Sequence, residues 1–265
     1  MMTFMDESLD YYAQANALRD VNSYLKLVLG MGAILICVAS PGPLAPLFIL
    51  VTLSAITLFF AKIPVRVYGE LLLIPVTFVG ISVIAIVFLS GGGEPILTFS
   101  IAGIPLIITT GSVNLASLVL VRTFGGMCGL FFIALTTPIT EIFSVMHTLR
   151  VPPVIVDLSM LIYHFIFVFI AQAIAIHNAQ TIRQGYTSFR HSLNSMAMLG
   201  AMLFIRAWKE AEDLIIAMDS RCYDGKLELA GQQNPPKPVA IASTAVYLSL
   251  CIVVAIMTSA IVPFR

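Results

Sequence analysis

Before residue 140 this chain holds four apolar stretches, approximately 24–40, 43–61, 68–89 and 112–137. Each comes close to the about 20 residues that a helix needs to cross the hydrocarbon of a bilayer. A further run, 240–262, is long enough as well. Such a sequence has few folding options, because backbone N–H and C=O groups placed in lipid find no water and a helix pairs them within one segment. Composition agrees: 59% of the 265 residues are hydrophobic and 11% charged, where a soluble domain carries roughly 25% charged residues. Mean hydropathy is +0.98. The expected fold class is all-α, a polytopic membrane protein with about five to six transmembrane helices.

Charge in the connections sets the expected orientation. The SPGP connection at 40–43 has no charge, Lys62 and Arg66 sit in the next, and SGGGEP at 90–95 offers only Glu94. Basic connections belong to the cytoplasm. The N-terminus with Arg19 and Lys26 is therefore expected inside a cell (inner or plasma) membrane, the 90–111 segment outside, and Pro138 inside again. A last crossing over 240–262 leaves Arg265 on the far side. The expected organisation is a four-span bundle at 1–137, coupling helices on the cytoplasmic side at 138–239, and a C-terminal transmembrane helix at 240–265. The N-terminal MMTFMDESLDYYAQANALRD is acidic where a signal peptide is basic, so no cleavage is expected.

Eight of the 14 basic residues fall between Pro138 and Val239: Arg150, Arg183, Arg190, Arg206, Lys209, Arg221, Lys226 and Lys237. That region is nonetheless partly apolar, with VIVDLSMLIYHFIFVFIAQAIAI at 154–176. Were this run to cross, Arg183 and Arg190 would lie outside, and the return path before Arg206 would be about 14 residues, short for a crossing. The favoured reading lodges it in or against the inner leaflet; a pair of crossings with a thinned or tilted return is the alternative.

Three helices are expected in this region. A short one follows Thr136-Thr137-Pro138, where proline suits a first turn, and stops before Pro152-Pro153. The second runs from Pro153 to about Arg183, and the third from about Ser192 to Arg221, with Ala207, Ala211, Leu214 and Met218 on one packing face. LAGQQNPPKP at 229–238 reads as a linker. The two long helices end alike, in Ile182-Arg183-Gln184 and Ser220-Arg221-Cys222. One arginine near the last carbonyls of a helix is explained by the helix dipole alone. Two matching ends point further, to docking sites, because guanidinium makes bidentate bonds to carboxylates.

These residues carry a family resemblance. Asp6, Tyr12-Ala13, Asn16-Ala17-Leu18-Arg19, Lys26, Arg122, Thr136-Thr137-Pro138, Leu149-Arg150-Val151-Pro152, Ala179-Gln180 and Ala217 to Gly225 together resemble the transmembrane (T) component of energy-coupling-factor transporters, in its cobalt-type CbiQ branch. Most of the chain is covered. The sharpest part is the pair of X-Arg-X motifs, typically Ala-Arg-Gly in the family; here both arginines are kept with Ile/Gln and Ser/Cys as flanks. The resemblance implies a non-enzymatic subunit that joins a small membrane substrate-capture subunit to two cytosolic ATP-binding-cassette (ABC) ATPase subunits. Residues Ile182, Arg183, Gln184, Ser220, Arg221 and Cys222 would seat in the ATPases. Cobalt is the implied cargo, with nickel or a vitamin as the alternative.

Other residues are read as structural. Arg122 lies inside an apolar span, where an unpaired cation is costly, so it is expected to face the interior or reach towards the interface, in a structural role with a direct part in transport as the alternative. Pro138 and Pro152 punctuate helices. Asp157 and His164, seven residues apart, share a face and suit a polar contact or, more commonly, a solvated or partner-facing position. His147, His164, His177 and His191 show no metal-ligand spacing, and Cys37, Cys128, Cys222 and Cys251 form no CxxC, so no metal site or cofactor is expected in the chain. Met196, Met198 and Met202 read as packing residues. SGGGEP lacks the spacing of a phosphate-binding loop. With 14 basic and 14 acidic residues the net charge is zero, which gives no reason to expect nucleic acid. An intramembrane enzyme would need clustered nucleophiles, bases or ligands, and a stand-alone secondary transporter two similar halves; neither pattern is present.

Overall fold

The computed structural model describes residues 11–19, 21–89, 95–101, 104–223, 235 and 237–261. Asp6, Glu94, Asp224, Gly225, Lys226, Arg265 and most of the 229–238 linker lie outside the described residues. The elements in chain order are α1 (Ser23–Ala39), α2 (Leu44–Ala55) extended by a π-helical turn (Ile56–Phe60), α3 (Val65–Leu89), β1 (Pro95–Ile101), β2 (Ile104–Thr109), α4 (Thr110–Thr136), α5 (Ile139–Thr148), α6 (Pro153–Ile182), α7 (Phe189–Ser220) and α8 (Pro238–Ile261). The protein is thus an all-α polytopic membrane protein whose β1–β2 hairpin, antiparallel with Ile101 opposite Ile104, fills the connection between α3 and α4. Among the described residues α3, α4, α6 and α8 are long and apolar enough to span a membrane; α1 and α2 with its π turn are shorter apolar helices.

The chain divides into two compact units, 1–142 with 232–265, and 143–231, the division falling inside α5. In the first unit α4 lies at the centre and packs against α1, α2 and α3, while α8 packs on α1 and α2. With apolar side chains as well solvated by lipid tails as by each other, close approach of backbones is what holds such helices together, and small residues permit it. Gly125 shows this: a Cβ there would lie 2.8 Å from the Pro46 carbonyl oxygen and 2.9 Å from Cys37 Sγ. The core around it is made of Ala33, Cys37, Ile49, Leu53, Cys128, Phe132, Leu135 and Cys251.

α4 begins in a capping box, in which Thr109 and Ser112 bond each other's backbone N–H. Its other end is capped from far away in sequence. Asn16 Nδ2 donates to the Leu135 and Thr136 carbonyl oxygens at 3.4 and 3.3 Å, and Lys26 Nζ donates to Thr136 O at 3.1 Å. Both side chains are buried. A cation and an amide at a helix C-terminus satisfy carbonyls that have no partner within the helix, which explains why polar residues sit inside an apolar bundle.

The second unit is a helical hairpin. α6 starts at Pro152, the N-cap, with Pro153 in the first turn, where a missing N–H costs nothing. α7 starts at Phe189, three residues before the expected Ser192, because the Ser188 side chain accepts from the His191 N–H and caps it. The less exposed positions of α7, among them Leu199, Leu203, Ala207, Leu214 and Met218, recur at three- and four-residue spacing and mark one face, and Ala207, Ala211 and Leu214 line a groove with Leu161, Phe165 and Phe169 of α6. Asp157, for which a solvated or partner-facing position was the commoner expectation, is buried, whereas His164 is exposed.

Candidate functional site

Both expected docking ends are built by one backbone device. At the end of α6, Arg183 is the C-cap and Gln184 follows at φ 58°. Gln184 N–H bonds Thr181 O at 3.0 Å and Gly185 N–H bonds Gln180 O at 2.8 Å. At the end of α7, Arg221 is the C-cap, Cys222 has φ 55°, Cys222 N–H bonds Asp219 O at 3.1 Å, and Tyr223 N–H bonds Met218 O at 3.1 Å. These paired bonds are the Schellman motif, which satisfies carbonyls left open by the helix end and turns the chain away. α5 ends the same way, with Arg150 at φ 60° and the Val151 N–H on Met146 O at 3.2 Å.

The motif leaves both arginines at the surface. Ile182, Arg183, Gln184, Ser220, Arg221 and Cys222 are all exposed, Ile182 at 84%. Among the described residues no hydrogen bond or ion pair holds either guanidinium. Each arginine therefore stands at a helix tip with its five donors open to a partner. The left-handed position after the arginine also accounts for the glycine of an Ala-Arg-Gly pattern, since glycine adopts positive φ at no steric cost.

The residues expected to be structural are placed as follows. Arg122 is half-buried in α4, its guanidinium donates to the Ser40 carbonyl oxygen, and Ser40 is the C-cap of α1. Cys37 Sγ meets Arg122 O at 3.3 Å, so the two helices are tied at side chain and backbone together. Pro138 stands one residue before α5 and not inside its first turn; its carbonyl accepts from the Glu141 and Ile142 N–H groups at 3.0 and 3.3 Å. Pro152 accepts from Ile155 N–H at 3.0 Å in the same manner. Among the described residues no three His, Cys, Asp or Glu side chains come together as metal ligands do.

Sequence reasoning assigned no role to Gln180, Tyr186, His177 or Ser195, which surround the first tip. Tyr186 Oη donates to Gln180 Oε1 at 2.7 Å and lies 2.9 Å from His177 Nδ1, while Gln180 Nε2 donates to Ser195 O at 3.0 Å. The one available signal was the presence of Ala179-Gln180 among the resembling residues.

Fold and site together define a polytopic helical membrane protein with two long helices that each end in an exposed arginine. The chain belongs to the CbiQ family, described as cobalt transport protein, which it matches over residues 14–232. It is 46% identical over 250 residues, 94% of its length, to a putative fused cobalt transport protein CbiMQ of Methanocorpusculum labreanum, of which it spans 42%. An uncharacterized protein of Methanocaldococcus jannaschii is 34% identical over 97% of this chain and 96% of its own. The cobalt transport protein CbiQ of Rhodobacter capsulatus is 25% identical over 88% of this chain and 91% of its own.

Proposed function

We propose that this protein is the membrane-embedded coupling subunit of an ATP-driven cobalt importer of the energy-coupling-factor type. It does no chemistry itself. Two cytosolic ABC ATPases would bind the tips at Arg183 and Arg221, and closure of the ATPases on ATP would move α6 and α7, which reorient a small membrane subunit that captures the ion. The N-terminus is cytoplasmic in this reading, in the cell membrane, and α6 and α7 lie on the cytoplasmic side. Cobalt as cargo is supported by family membership and by the names of the relatives. A partner membrane subunit is supported by the fused CbiMQ relative, in which a chain like this one makes up under half of the length.

The observation that carries the reading is the pair of matching Schellman ends, each with an exposed arginine. A dipole role needs one cation near the last carbonyls and leaves its direction free. Two exposed guanidinium groups carried on matching backbone corners suit recognition of carboxylates in two equivalent partners. Co-purification tests it: the detergent-solubilised protein, expressed in its own cell, brings down two ABC ATPases and a small membrane protein. Recovery of the folded chain with no ATPase would overturn the reading.

A further inference from the structure

The two tips share a backbone motif, but the first carries an additional set of side-chain bonds. Gln180, one turn before Arg183, spends its amide nitrogen on the Ser195 carbonyl oxygen of α7 at 3.0 Å. Its amide oxygen is thereby left facing Tyr186, whose hydroxyl donates to it at 2.7 Å. With that proton committed, the phenol oxygen accepts from His177 Nδ1–H at 2.9 Å, and the two rings lie 4.7 Å apart. Ser195 Oγ closes the circuit by donating to Gly185 O at 2.8 Å. A Cβ on Gly185 would lie 2.7 Å from Ser195 Oγ and 3.1 Å from the Gln180 carbonyl oxygen, so a side chain there would displace the Ser195 hydroxyl.

The circuit joins three stretches: the last turns of α6, the connection after Arg183, and the first turns of α7. The Gln180 amide, the Tyr186 hydroxyl and the His177 ring are paired in turn, so the order of donation is fixed from His177 to Ser195. Nothing in it is needed for α6 or α7 to be helical, because the bonds run between the helices and their connection. Its effect is to remove freedom from the residues on either side of Arg183.

We propose that Gln180 and Tyr186 are positioning residues for the first docking tip: they hold the backbone corner that carries Arg183 in one conformation before the partner arrives, so that force on the tip reaches α6 and α7 together. The inference rests on the coupling reading above. The affinity of a partner for a tip that is competent only part of the time falls by that fraction. Release of a corner held by neutral hydrogen bonds leaves about a third to a tenth of the tips competent, a weakening of roughly three- to tenfold.

The test is a set of double-mutant cycles on the full chain in detergent, with the dissociation constant of its co-purifying ABC ATPases as readout. Tyr186→Phe keeps the ring and removes the hydroxyl. It is expected to weaken binding about three- to tenfold in the parent and in the Arg221→Ala background, and to have no effect in the Arg183→Ala background, where no guanidinium remains to position. Gln180→Ala, which breaks the relay at its other end, is expected to follow the same pattern. An equal loss in the Arg183→Ala background marks a structural role and overturns the inference, as does Tyr186→Phe or Gln180→Ala binding like the parent while Arg183→Ala binds weakly. Should Arg183→Ala itself bind like the parent, the coupling reading fails, and this inference with it.

Discussion

Gln184 and Cys222, 38 positions apart, hold one backbone conformation: each follows an arginine at the end of a long helix, with φ 58° and 55°. Each bears a side chain where the left-handed conformation costs an L-residue about 1–2 kcal/mol. Replacement by glycine removes that cost and returns part of it through the freedom glycine has when unfolded. Gln184→Gly and Cys222→Gly are each expected to stabilise the protein by about 0.5–1 kcal/mol, read as a rise in the thermal unfolding midpoint of the solubilised protein. Gln184→Val, β-branched, is expected to lower it. A lower midpoint for both glycine variants would contradict the geometry.

Adjacent glycines of α4 give an internal comparison. Gly125 faces Pro46 and Cys37, whereas a Cβ on Gly126 meets nothing within 4 Å. Gly125→Ala is expected to cost about 1–3 kcal/mol through overpacking, and Gly126→Ala to be neutral or stabilising by up to about 1 kcal/mol. Yield of folded, extractable protein and its unfolding midpoint check both. Equal behaviour of the two variants would count against the packing described for α1, α2 and α4.

Arg122 supplies the cap of α1 through Ser40. Arg122→Leu leaves that carbonyl without its donor, at a cost of about 1–3 kcal/mol. The extractable yield is expected to fall more than ATP hydrolysis per assembled complex. A variant that folds and assembles normally but does not transport would assign Arg122 a direct part in transport.

The charge pattern predicts the topology. Cysteines placed at 190 and 226 in a cysteine-free background are expected to react only from the cytoplasm, and one at 94 from outside. Labelling of position 190 from outside would remove the basis for α6 and α7 as coupling helices.

The helices were legible in the sequence because hydropathy over about 20 residues is a coarse property that tertiary contacts do not override. Ser23–Ala39 and Thr110–Thr136 lie within two residues of the stretches read from composition. Finer features were not. The π turn at Ile56–Phe60 lies in an apolar run with no punctuation, and the β1–β2 strands sit in a segment whose period is ambiguous at that length. The Schellman ends were hidden because glutamine, cysteine and arginine occupy positions where glycine is the usual sign. Arg183 and Arg221 were visible as a pair, whereas Gln180 and Tyr186 matter through bonds to each other and to Ser195, and no spacing rule announces such a relay.

The central claim is that Arg183 and Arg221 dock the ATPases, and binding and import by the double alanine variant test it most directly. Truncating one member of a desolvated charge pair typically costs about 2–5 kcal/mol, about 30-fold to several thousand-fold in affinity. Arg183→Ala or Arg221→Ala is expected to weaken assembly and import with the membrane bundle still folded, lysine to rescue in part because it lacks the bidentate fork, and Lys209→Ala to be mild. Arg183→Ala/Arg221→Ala is expected to abolish both ATPase binding and cobalt uptake. A double variant that binds its ATPases and imports cobalt like the parent would show that these arginines are helix-end cations only, and would contradict the account.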